Sequence, residues 1–121
     1  MITNINLPNP LSPLPIALTA MSMGILTEQK FLHLAQTFKT LGDYSRVRIV
    51  WVLLQGEKCP SEIAEAVNLS PSAVSHHLKV LRNSKLVRLR REHRQIFYTL
   101  DDDHINKLME AGIEHVTEIL P

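Results

Sequence analysis

The sequence predicts a mainly α-helical fold with one β-hairpin, in the order α-α-α-α-β-β-α. Three observations carry this prediction. Apolar residues recur at helical spacing in successive segments before residue 84. The pattern then turns to β-branched and aromatic residues on both sides of a polar turn in LVRLRREHRQIFYTL, from Leu86 to Leu100. Helical spacing returns from Asp103 to Leu120. With 121 residues, 45% hydrophobic and 21% charged, the chain has the size and composition of one modest globular domain.

Residues 1–25 stand apart from the rest. They hold Pro8, Pro10, Pro13 and Pro15 and no charged side chain, which predicts a mobile N-terminal arm. A secretory signal would need a basic start and an unbroken apolar stretch, and the prolines interrupt one early. Residues 26–121 are expected to form the folded domain. Its first helix follows from Phe31, Leu32, Leu34, Ala35, Phe38 and Leu41, with Thr27 as N-cap and Gly42 as stop. Asp43 or Ser45 caps the second, SRVRIVWVLLQG, whose length and Gly56 stop favour a buried helix over a strand. SEIAEAVN forms a short third helix capped by Ser61. SPSAVSHHLKVLRNSK forms a fourth, with Ser70 as N-cap and Pro71 at the first helical position. The turn of the hairpin is placed around Arg91 to Arg94.

Composition also bears on the setting. No apolar run approaches the roughly 20 residues of a membrane-spanning helix, so no membrane partner is expected. A single cysteine, Cys59, allows no intrachain disulfide, and a reducing, cytoplasmic location fits best. The net charge of +1 conceals an asymmetry. Between Pro71 and Leu100 stand Lys79, Arg82, Lys85, Arg88, Arg90, Arg91 and Arg94 against Glu92 alone. After Leu100 the acids Asp101, Asp102, Asp103, Glu110, Glu114 and Glu118 face only Lys107. The middle of the chain suits an anion, and its end suits cations.

On a helical wheel the fourth helix puts Val74, Leu78 and Leu81 in one stripe. Ser72, Ser75, His76, Lys79, Arg82 and Asn83 share the opposite face. Small polar side chains in the first turns permit close approach to base edges, and the basic residues can meet phosphates. A solvated charged face is the plain alternative. The hairpin favours the first: Arg88, Arg90, Arg91 and Arg94 cluster around a projecting turn, as a wing that grips phosphate requires. A hairpin directly after a recognition helix, with a short helix and tight turn before it, is a winged helix-turn-helix. Ser70, Ser72, Ser75, His76, Lys79, Arg82, Arg88, Arg90, Arg91 and Arg94 are the expected DNA-contacting residues.

These residues carry a resemblance. LGDYSRVRIVWVLL and EIAEAVNLSPSAVSHHLKVLRNSKLVRLRREHRQIFYTL, within residues 28–120, are similar to the ArsR–SmtB family of bacterial metal-responsive repressors. The resemblance implies a winged-helix homodimer, joined through its terminal helices, that represses transcription and leaves operator DNA when its inducer binds. Two departures stand out. Tyr44-Ser45 follows LGD where Pro-Thr is usual, and His93 occupies a wing-turn position where glycine is usual. Histidine tolerates a positive φ better than most side chains do.

The last helix presents a separate pattern. His104 and His115 lie on one stripe, beside an apolar face of Ile105, Leu108, Met109, Val116 and Ile119. Eleven residues of helix span about 16 Å, and zinc–nitrogen bonds are about 2 Å, so one ion cannot bind both histidines of one helix. Two such helices paired antiparallel about a two-fold axis remove the difficulty. Asp102 and His104 of one chain would then face His115 and Glu118 of the other, forming two equivalent sites of two imidazoles and two carboxylates. Four N/O ligands with no open position suit Zn(II), two per dimer, with Co(II) as a substitute. Zinc-sensing members of the resembled family carry Asp-x-His and, eleven residues on, His-x-x-Glu, which matches Asp102, His104, His115 and Glu118. The plain alternative is that these are surface residues and caps.

The second imidazole nitrogen of His115 is free to donate to a backbone carbonyl between recognition helix and wing. By resemblance that carbonyl lies near Lys85, which makes His115 and Lys85 the expected allosteric link. A cysteine-based site matching CPSEIAEAV is dismantled, because Cys59 and Glu62 have no cysteine or histidine before His33 to join them. A metalloenzyme is disfavoured, since four protein ligands leave no substrate position and HExxH is absent. A repressor of the same fold that answers to another metal, or to none, remains the alternative.

Overall fold

The computed structural model of the chain describes Gly24 and residues 26–121. The predicted arm, residues 1–25, lies outside the described residues except for Gly24. The chain divides into two compact units, residues 1–34 and 35–121. In the first, Thr27 caps the opening turn of α1 (Glu28–Leu41), its hydroxyl accepting from the Lys30 N–H at 3.2 Å.

The second unit holds the remaining elements: α2 (Tyr44–Leu53), α3 (Pro60–Val67), α4 (Pro71–Asn83), β1 (Val87–Glu92), β2 (Gln95–Leu100) and α5 (Asp103–Ile119). Among the described residues the predicted element order holds. Asp43 caps α2, its Oδ2 accepting from the Arg46 N–H at 3.0 Å. Ser70 caps α4 through the Ala73 N–H at 3.2 Å, with Pro71 first in the helix. The third helix begins earlier than expected. Cys59 is its N-cap and Pro60 its first residue, because Glu62 reaches back to accept from the Cys59 N–H at 2.9 Å. Ser61 therefore lies inside the helix.

Val87 pairs with Leu100 and Glu92 with Gln95 in an antiparallel ladder, so the turn is at His93 and Arg94, and Arg91 belongs to β1. His93 takes φ 57°, the left-handed conformation its position demands. Lys58 pairs with Tyr98 across both backbone bonds, at 3.1 and 2.8 Å, and ties the loop before α3 to β2.

The core lies between α2, α3 and α4. Ile49, Val50, Val52 and Leu53 meet Ile63, Val67, Val74, Leu78 and Leu81, and Leu86, Val87 and Leu100 close it from the hairpin. The β-branched run of α2 is buried as a helix because the neighbouring helices and the hairpin surround it. From α5 only Met109 is buried. Much of the apolar surface of α5 and of α1 stays open: Phe38 is 53% exposed, Val116 51% and Ile119 61%.

Candidate nucleic-acid interface and metal-ligand pairs

Amphipathic spacing sends Val74, Leu78 and Leu81 of α4 inward, so the other face of the helix is presented to solvent. Ser72, Ser75, His76, Lys79, Arg82 and Asn83 line a surface groove of about 530 Å³, which Tyr98 of β2 completes. Most of the expected recognition face of α4 thus borders one surface depression. Tyr98 is the member that the wheel did not reveal. It lines the groove beside α4, and its backbone is fixed by Lys58. Ser70 caps the helix, its Oγ accepting from the Ala73 N–H, which leaves the hydroxyl proton to donate outward. His77 turns inward with Nδ1 buried, and its ring stands edge-on to that of His76 at 5.8 Å.

The wing arginines differ in their surroundings. Arg88, Arg91 and Arg94 are exposed. Arg90 is held from several sides: Nε and Nη2 donate to the two oxygens of Glu57 at 2.7 and 2.6 Å, and Nη1 to Glu92 at 2.9 Å. Its guanidinium also sits 4.7 Å from the Phe97 ring centroid. The hydrogen bonds from Arg90 hold Glu57 below the usual carboxylate range, and Glu57 and Glu92 together raise Arg90. Arg90 thus fastens the wing to the loop before α3, and Glu57 is a site residue that local pattern could not expose.

At the start of α5, Asp102 is the N-cap and Oδ1 accepts from the His104 N–H at 2.8 Å. The same oxygen lies 3.3 Å from His104 Nδ1. Partial burial raises the Asp102 carboxyl, but hydrogen bonds from the His104 backbone and ring and from the Ile105 N–H outweigh it, so the net shift is downward. His115 and Glu118 are exposed three residues apart near the other end. The structure keeps the two pairs at opposite ends of one helix. Among the described residues no group of three or more His, Cys, Asp or Glu converges within the chain. His115 also borders an apolar groove of about 800 Å³ whose walls include Phe38, Trp51, Leu108, Gly112 and Val116.

Lys85 follows the end of α4 in the left-handed conformation, φ 61°. Its N–H donates to the Arg82 carbonyl at 3.0 Å, and that of Leu86 to the Leu81 carbonyl at 2.9 Å. This corner joins recognition helix to wing.

A helix-turn-helix followed by a basic hairpin, with a polar groove along the recognition helix, defines a winged helix-turn-helix DNA-binding protein. Residues 43–88 match the family described as bacterial regulatory protein, arsR family. The chain is 37% identical over 95 residues to a cadmium resistance transcriptional regulatory protein CadC homolog of Staphylococcus aureus, covering 78% of each. It is 39% identical over 86 residues to a transcriptional repressor SmtB homolog of Synechocystis, covering 71% of this chain and 65% of that one. The homodimeric winged helix-turn-helix DNA-binding domain of Mb0332 from Mycobacterium bovis superposes with a TM-score of 0.72 at 26% identity, over 78% of this chain and 91% of that domain. The chain belongs to the ArsR family of bacterial transcriptional regulators.

Proposed function

We propose that the protein is a repressor that binds operator DNA as a homodimer and leaves it when Zn(II) is held between the last helices of two protomers. The observation that carries this reading is the split ligand set. Asp102 with His104, and His115 with Glu118, are pairs at the two ends of α5, so a second copy is needed to bring four donors together.

Imidazoles and carboxylates are donor types that a closed zinc site takes. Asp102 Oδ1 and His104 Nδ1 lie 3.3 Å apart as a hydrogen-bonded pair, and zinc would replace the proton between them. When bound, zinc supplies a closed four-coordinate cross-link with no open position for substrate; Co(II) suits the same donors. The open apolar surface of α5 and the groove beside His115 supply the area that a second copy would cover.

Ser72, Ser75 and His76 face base edges in this reading, with Tyr98 at the groove wall, while Lys79, Arg82, Arg88, Arg91 and Arg94 meet phosphates. Arg90 holds the wing in place. Release requires that the dimer arrangement gathering the four ligands differ from the one spanning the operator. His115, through its second ring nitrogen, and the corner at Lys85 form the connection between the two sites.

A same-fold repressor answering to a different metal is the second reading, favoured by the cadmium-resistance name of the Staphylococcus aureus relative. The test is fluorescence anisotropy on duplex from upstream of the protein's own gene, at fixed salt, first with chelator and then with each metal. Tight binding lost at stoichiometric zinc supports the first reading. Loss with cadmium alone supports the second, and indifference to every metal removes both.

A further inference from the structure

Among the described residues Thr40 is the sole buried polar one, at 1% exposure. Its hydroxyl is the hub of a small network. Gln36 Nε2 donates to Thr40 Oγ1 at 3.3 Å, which leaves the hydroxyl proton available to Ser84 Oγ at 3.0 Å. The Thr40 carbonyl accepts from Arg46 Nε at 2.9 Å, and the Arg46 backbone is itself fixed by the Asp43 cap. One residue of α1 therefore touches α2 through Arg46 and α4 through Ser84.

Ser84 is the C-cap of α4, immediately before the left-handed Lys85 that turns the chain into the wing. A hydroxyl pair with one member buried is directional and costly to break, because the buried partner cannot turn to water. Pinning the C-terminal end of a 13-residue helix also fixes the angle at which its N-terminal residues project. Those residues, Ser72 and Ser75, are the ones that must enter a groove.

We infer that the Thr40–Ser84 hydrogen bond is a brace that sets the tilt of the recognition helix for DNA docking, with both as positioning residues. The inference rests on the DNA-binding reading above. Thr40→Val keeps the shape and removes the hydroxyl, Ser84→Ala removes the partner, and Thr40→Ser keeps the hydroxyl. With chelator present and at a temperature where each variant is folded by circular dichroism, the Val and Ala variants should bind the same upstream duplex roughly three- to tenfold more weakly. The double variant should be no weaker than either single one, and Thr40→Ser should bind like the wild type. Amide exchange at Leu86 should quicken in the Val and Ala variants and not in Thr40→Ser.

Wild-type affinity in a folded Thr40→Val or Ser84→Ala protein, or strictly additive losses, overturns the brace. If Thr40→Val does not fold, Ser84→Ala carries the test. If the wild-type protein does not bind the duplex, the repressor reading fails, and unchanged exchange at Leu86 then overturns the brace separately.

Discussion

Arg90 and Glu57 meet through two parallel hydrogen bonds of 2.7 and 2.6 Å, joining β1 of the wing to the loop that leads into α3. The pair holds one of the four wing arginines against a carboxylate, and its role at the DNA is open to a direct test. Each arginine taken away from a phosphate lowers the slope of log K against log salt by about one. Arg91→Ala should show that decrease for each protomer. Arg90→Ala should weaken binding with the slope unchanged. Anisotropy titrations over a range of salt concentrations read both, and a reduced slope for Arg90→Ala would return it to the phosphate-binding set.

His115→Ala should abolish release by zinc and leave DNA affinity in chelator unaltered. Zinc binding measured by calorimetry should weaken, because the variant would remove a ligand from each of the two proposed sites. Release of DNA by zinc from this variant would remove His115 from the connection. Zinc affinity of the wild type should also fall as pH is lowered, because ligating imidazoles must lose their protons first.

Val116→Asp places a charge on the open apolar surface of α5, where Val116 is 51% exposed. In the isolated chain that change is nearly neutral. In the proposed dimer it would bury an unpaired carboxylate. The expected result is a folded monomer by light scattering, with weak DNA binding. A dimer of unchanged mass would place the interface elsewhere.

Asp43→Ala removes the cap of α2 and should cost about 1 kcal/mol of stability, read as a lower urea midpoint. The backbone N–H of Arg46 lowers the Asp43 carboxyl, Arg90 lowers Glu57, and the Cys59 N–H lowers Glu62. A depressed folded value contributes stability above the unfolded value and loses it as pH falls through the folded one. Stability should therefore decline as pH drops below about 4, and Asp43→Ala should make that decline shallower. Urea titrations between neutral pH and about pH 3 span that window.

Most of the local structure was legible because it depends on neighbours in sequence. Asp43, Ser70 and Pro71 announce helix starts, and His93 marks a turn needing positive φ. The inward stripe of Val74, Leu78 and Leu81 follows from helical geometry alone. The cap of α3 stands at Cys59 and not at Ser61, since Glu62 reaching back to Cys59 outweighs the preference of serine for a cap. Glu57, Tyr98 and the Thr40–Ser84 pair were hidden for a different reason. Thr40 and Ser84 are 44 residues apart, and Arg90 and Glu57 are 33 apart. No periodicity links positions so distant.

The ligand pattern shows the same division. Sequence alone placed Asp102 and His104 at one end of α5 and His115 and Glu118 at the other, because helical rise and periodicity are properties of the chain itself. It also marked the apolar stripes of α1 and α5. Only the tertiary structure decided that α2, α3, α4 and the hairpin fill the core together with Met109 of α5, leaving Phe38, Val116 and Ile119 outside it. It also decided that Asp102 Oδ1 lies 3.3 Å from His104 Nδ1, and that Arg90 is bound to Glu57. Those outcomes depend on which side chains meet once the core is packed, and that competition is settled in three dimensions.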